Sequence, residues 1–72
     1  MLTAAEFMSF TIKSRIEFIK TYARPIKKAT IGNDLFVELY QLFEFHVIVH
    51  FNIQNRNVIS IAPISRSAIR FI

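Results

Sequence analysis

His46 and His50 are the only imidazoles in the 72-residue chain, so any acid–base or metal chemistry starts from them. Four residues apart on a strand, they lie about 13 Å from each other. That is too far to ligate one ion, whereas helical spacing would bring them together. The β-branched run Val47-Ile48-Val49 between them argues for the strand. There is no cysteine and no carboxylate at a ligand-like spacing, so no metal and no other cofactor is expected. Glu38 and Glu44 lack a matching acid or base, and Ser9, Ser14, Ser60, Ser65 and Ser67 have no nucleophile's setting. One glycine cannot build a phosphate-cradling loop.

What remains is cationic. Nine Lys/Arg against five Asp/Glu give a formal charge of +4 and a pI near 10.0. Lys13, Arg15, Lys20, Arg24, Lys27 and Lys28 face only Glu17 across their span, and Arg56, Arg66 and Arg70 follow later. Such a field suits a phosphate backbone, anionic lipid or an acidic partner. The plainer reading is a solvated surface that keeps the chain soluble. For nucleic acid the candidates are Lys20, Arg24, Lys27, Lys28, Arg56 and Arg66, with Tyr22, Tyr40 and His46 available to stack on bases. Against that, aromatics at strand spacing more often fill cores.

The elements that position these groups can be read from periodicity. Every second residue from Val37 to Ile53 is apolar except Gln41, and the residues between are mostly polar. This describes a ribbon with one buried and one wet face. Asp34 could instead cap a helix over Leu35–Phe43, so residues 35–45 read as strand or helix almost equally. His46–Ile53 and Val58–Ile64 are firmer strands. A three-residue loop, Asn55–Asn57, would set Ile53 opposite Ile59, Phe51 opposite Ile61 and Val49 opposite Pro63, with Asn57 left-handed. Upstream, Thr3-Ala4-Ala5-Glu6 has the form of a capping box, followed by a helix from Ala4 to about Ala23 with a stripe of Met8, Ile12, Ile16, Ile19 and Ala23. Pro25 ends it.

The expected architecture is therefore α+β, one domain over residues 1–72. A helix over 4–23 lies on antiparallel strands near 45–53 and 58–64, joined by a third near 36–41 if that open stretch is strand, with a basic connector at 24–34 and a tail at 65–72. The chain is near the size where one core is barely sufficient. With 53% hydrophobic residues, part of its apolar surface is expected to meet a partner. No apolar run approaches the roughly 18 residues of a membrane span. Residues 1–28 hold six basic and two acidic side chains, as a mitochondrial leader would, but a segment that builds the core is not removable.

From Arg24 onward the order of features resembles the C-terminal half of the RelE/HigB/ParE superfamily of toxin components. The similar pieces are Lys27-Lys28, Gly32-Asn33-Asp34, Leu35-Phe36-Val37-Glu38-Leu39-Tyr40, Phe45–Phe51, and Val58-Ile59-Ser60-Ile61 leading to Ile64-Ser65-Arg66. The resemblance implies a helix on a twisted antiparallel sheet, and it tips Leu35–Tyr40, which the pattern leaves open, towards strand, so three strands are expected. In RNA-cleaving members, Arg and Lys stabilise phosphate charge during attack by the ribose 2′-hydroxyl. Tyr40 and His46 stand where two arginines would be, and Arg66 keeps the charge at a lysine-like position. Each lost group is worth about 10²–10³ in rate.

The resemblance implies a catalytic set of His46 as base, Tyr40 orienting it, and Arg66. The function it suggests is a small basic RNA- or ribosome-facing module, a degenerate or inactive mRNA-cleaving toxin. If active, it would be a metal-independent endoribonuclease; the missing charges favour no activity. The competing readings are a non-catalytic accessory subunit of a protein or ribonucleoprotein assembly, and a small inhibitor that blocks a partner. Expected partners are RNA or the ribosome, or a protein (antitoxin-like, or a neighbour in an assembly). An oligomer or complex is expected, in the cytoplasm, with a mitochondrial or organellar complex as the other location.

Overall fold

The computed structural model describes residues 2–70 and residue 72. Two helices, α1 (Ala4–Met8) and α2 (Ile12–Tyr22), precede four strands, β1 (Arg24–Ile31), β2 (Leu35–Leu42), β3 (Phe45–Asn52) and β4 (Val58–Ile64), and a short α3 (Arg66–Ile69). The strands form one antiparallel sheet in the order β1-β2-β3-β4. The class is α+β, as expected, with one strand more than the three anticipated.

The opening helix is two helices. Thr3 makes the capping box: its Oγ1 accepts from the Glu6 N–H at 3.1 Å and its N–H donates to Glu6 Oε1 at 3.0 Å. Thr11 then caps again, accepting from the Ser14 N–H at 3.1 Å, because a hydroxyl that bonds nearby backbone competes with helix continuation. The break at residues 9–11 lets Phe7 and Phe10 both turn inward. Phe7 is fully buried, against Phe10 and Phe45 at centroid distances of 6.2 and 5.9 Å. Met8 and Ile12, expected in the buried stripe, are each 42% exposed.

The supposed connector is the strand β1, paired with β2 from Arg24↔Gln41 to Ile31↔Leu35. Its exposure, its lysines and Pro25 are what an edge strand carries. Gly32, at φ +66, takes the left-handed turn into β2. The β2–β3 turn has only two residues, Phe43-Glu44, and Leu42 pairs with Phe45. An even-numbered turn reverses the parity of the alternation. Val37, Leu39 and Gln41 therefore face the opposite side from Phe45, Val47, Val49 and Phe51. Instead Phe36, Glu38, Tyr40 and Leu42 share the helix-covered face with those β3 residues, and Leu42, Val47, Val49 and Ile61 meet Phe7 and Ile19 in the core.

The other face is not wet. Val37 and Leu39 are 0% and 1% exposed although they point away from α1 and α2. The chain leaves β4 at Ile64 and returns by residue 72 to β1, where Lys27 Nζ donates to the Ile72 carbonyl oxygen. Lys27 pairs with Leu39 and shares its face. The tail therefore starts from the β4 edge and ends beside β1, on the face that holds the enclosed Val37 and Leu39.

The β3–β4 register also differs from expectation. Val49 pairs with Ile61 and Val47 with Pro63, two residues from the expected alignment. A shift of two preserves the face, so Ile61 is still core. A bulge sets Phe51 opposite Val58 and leaves Ile59 57% exposed. The loop is five residues, held by Asn52 Oδ1 accepting from the Gln54 and Asn55 N–H groups at 2.9 and 3.3 Å. Its left-handed residue is Arg56, at φ 58, rather than Asn57.

One side chain fastens helices to sheet. The Arg15 guanidinium donates from Nη2 to the Met8 carbonyl at 2.7 Å and from Nη1 to the Ile61 carbonyl at 3.0 Å. The first is an orphan acceptor at the end of α1; the second lies in the edge strand β4. The Arg15 Nε is buried without a partner.

Two stability outcomes follow. Leu39→Ala is expected to cost about 2–5 kcal/mol in chemical denaturation, the range for an enclosed leucine; a loss under about 1 kcal/mol would mean that this face of the sheet is open to water. Arg15→Ala leaves the part-buried Ile61 carbonyl without its partner and the exposed Met8 carbonyl to water, and should cost about 1–3 kcal/mol. Arg15→Lys should recover less than half, because one ammonium cannot reproduce the two-armed reach. Full rescue by lysine would contradict the bridging role.

Candidate functional site

Pairing arranges the side chains in rows across the sheet, with direct neighbours about 4.5–5.5 Å apart at Cβ. On the tail-bearing face the row nearest the Phe43-Glu44 turn is Arg24, Gln41, His46 and Ile64. The next rows are Lys27, Leu39, Ile48 and Ala62, then Ala29, Val37, His50 and Ser60. The first row is the polar one. Arg24 and Lys27, three residues apart, would normally face opposite ways. The register shift between Pro25 and Lys27 brings both to this face. Arg24 Nη2 donates to Gln41 Oε1 at 2.7 Å, and Gln41 Nε2 donates to the Phe43 carbonyl at 3.3 Å. Gln41 thus holds the guanidinium beside half-buried His46. Arg66 opens α3 two residues beyond Ile64, which pairs with His46.

Tyr40 lies on the opposite face, in the row Pro25, Tyr40, Val47 and Pro63. Its hydroxyl donates to Glu38 Oε2 at 2.7 Å. Glu38 in turn sits between Lys28 and Val49. The expected trio of Tyr40, His46 and Arg66 is therefore divided by the sheet: His46 lies on one face, Tyr40 faces the helices, and Arg66 stands beyond β4 in α3.

The six candidate nucleic-acid cations divide as well. Arg24 and Lys27 share the tail-bearing face, with Arg66 at its margin. Lys28 points to the helix side, and Lys20 lines a cleft of about 160 Å³ there with Glu38, Tyr40 and the apolar Ile16, Ile19 and Phe51. Arg56 is in the β3–β4 loop, at the far end of the sheet. His50 is drawn into the fold, its Nδ1 3.2 Å from Ser60 Oγ. Tyr22 is 58% exposed at the end of α2, its ring against Phe18 and Phe43 at 4.9 and 5.8 Å. It stands at the same end of the sheet as Arg24.

Gln41 had a signal in the sequence, as the one polar residue in the apolar alternation. Glu38 as Tyr40's acceptor and Arg15 as a structural cation had none, because each depends on which strands meet. Arg15 leaves the free cationic field, its charge turned to main-chain carbonyls.

The Tyr40 phenol is pushed up to about 12 from an ordinary 10.0, first by burial and then by its hydrogen bond to the Glu38 carboxylate and that group's charge. The folded state favours the neutral phenol, so this contribution is complete below about pH 10 and disappears as pH rises towards 12. With Tyr22 replaced by phenylalanine, so that Tyr40 is the one phenol, absorbance titration should show a phenolate step near pH 12 that Tyr40→Phe removes, and Glu38→Gln should move that step downward. A step at the ordinary value in that Tyr22→Phe protein would mean that the Tyr40–Glu38 bond does not form.

Among the described residues no helix is long and apolar enough to cross a membrane. No protein-family model matches the chain, and no curated protein or solved structure matches it. What the site can do has to be judged from its own geometry.

Proposed function

We propose that this chain is a small, basic, RelE/HigB-like module that binds RNA, free or on the ribosome, without cleaving it. The observation that carries this reading is the row Arg24–Gln41–His46, about 10 Å across, with Lys27 in the next row and Arg66 beyond its end. Guanidinium and imidazole groups presented in line by strands suit consecutive phosphates. Exposed Tyr22 at the same end offers one face to an unstacked base. Binding without cleavage is the better reading because Tyr40 bonds Glu38 on the far side of the sheet from His46. A cytoplasmic location accords with this reading.

A second reading, an accessory subunit of a larger assembly, draws support from apolar side chains left open at the sheet edges: Ile26 at 46%, Ile31 at 49% and Ile59 at 57%.

Fluorescence anisotropy with a labelled single-stranded RNA of about a dozen nucleotides tests the first. Three or four phosphate contacts should give a slope of log Kobs against log salt of about −2 to −3. Arg24→Ala should reduce its magnitude by about 0.7, and Tyr22→Ala should weaken binding about tenfold at constant slope. The RNA should remain intact on a sequencing gel. Salt-insensitive binding, or none, would overturn the RNA reading; cut RNA would overturn the non-cleaving part of it.

A further inference from the structure

The two edges of the sheet are treated differently. At β4, Arg15 occupies the Ile61 carbonyl, and both α1 and α2 pack against the strand. At β1, every residue but Ala29 is exposed. Among the described residues, the main-chain groups of 26–31 that point away from β2 take no backbone partner. Lysines and a proline on such a strand are ordinary protection against unwanted pairing. Two features go beyond protection. Pro25 and the bulge disturb only the first residues, leaving Lys27–Ile31 in unbroken register with β2. Ile26 and Ile31, at either end of the lysines, are about half exposed, at 46% and 49%, and a merely shielded edge has no use for them.

We propose that the outer edge of β1 is a strand-addition site for an extended acidic segment of a partner protein. That segment would run antiparallel to Lys27–Ile31, with carboxylates opposite Lys27 and Lys28 and an apolar residue opposite Ile31. Charge selects the occupant. Arg24, Lys27 and Lys28 are the charged residues of β1, and it has no acid. Two copies joined edge to edge would bring three cations from each side into one seam. An acidic strand meets Lys28 on the helix side of the sheet and Lys27 on the tail side. One carboxylate is thus needed at each of two successive positions, so a partner with negative charge on only one face of its strand satisfies half the site. This site shares Lys27 with the proposed RNA surface but not the Arg24–Gln41–His46 row, and it holds whether or not the chain binds RNA.

The probe is a fluorescein-labelled eight-residue peptide with two adjacent glutamates flanked by valine and threonine, read by anisotropy against the full chain. Two further peptides carry N-methyl groups on alternate residues, one on each set. Ladder pairing uses only one set of amides, so one N-methylated peptide should lose at least tenfold in affinity and the other should bind unchanged. Exposed Lys28 can be changed without disturbing the core. Lys28→Glu should weaken binding about tenfold, Lys28→Gln less, and a lysine at the facing peptide position should restore it. Amide exchange should slow in 27–31 on peptide addition. Equal binding by both N-methylated peptides, no binding of the parent peptide, or a stable dimer in sedimentation with those amides already protected would each overturn the proposal; the last would give the edge to a second copy.

Discussion

Arg15 joins the helical pair to the sheet by directional bonds, and the remaining architecture is arranged around that junction. Apolar packing alone lets an amphipathic helix slide or rotate on a sheet with modest loss. A guanidinium divided between Met8 and Ile61 does not. It sets the angle between α1 and α2, because it reaches back to the carbonyl where α1 stops. It also sets where both helices lie along β4. The core residues Phe7, Ile19, Leu42, Val47, Val49 and Ile61 then close around this placement. Keeping a cation partly buried, with Nε unbonded, is costly in a small core. The bonds to main chain keep that cost local and offset it by satisfying the Met8 and Ile61 carbonyls.

The second constraint is the parity of the Phe43-Glu44 turn. Two residues bring Leu42 opposite Phe45 and send neighbouring positions of β2 and β3 to complementary faces. Tyr40 is thereby committed to the helix side with Glu38, and His46 to the tail side with Gln41 and Arg24. Each surface inherits a distinct chemistry: on one, a phenol–carboxylate pair at the mouth of an apolar cleft; on the other, a guanidinium, an amide and an imidazole in line. Val37 and Leu39 lie enclosed in the middle of that second surface, and its end row lies beside the Phe43-Glu44 turn.

The sequence declared β3 and β4 to within a residue or so, because alternation survives in strands that are covered on one side or both, and left β2 open between strand and helix, since Leu, Glu and Gln suit either. It concealed β1. An edge strand guarded by Pro25, Lys27 and Lys28 has the composition of a linker, and only pairing with β2 distinguishes the two. The break between α1 and α2 was hidden for a similar reason, since Thr11 reads equally as a mid-helix residue or as a cap. The candidate cations were legible as residues but not as a group. Their division between faces follows from the bulge after Pro25 and from the two-residue turn, neither of which is marked by glycine.

Phe43 carries a backbone angle of φ 56, which glycine adopts freely and a phenylalanine adopts at a cost of about 1–2 kcal/mol. Its ring lies against Phe18 and Tyr22 on α2, at 6.3 and 5.8 Å, so the strain is relieved only when the helix is in place. The β2–β3 hairpin is thus a poor autonomous folding unit. Glycine at this position would let the ribbon zip up alone and show its oily side before the helices arrived. With phenylalanine, ribbon and helix become each other's condition, and the half-assembled sheet that would stick to its neighbours stays scarce.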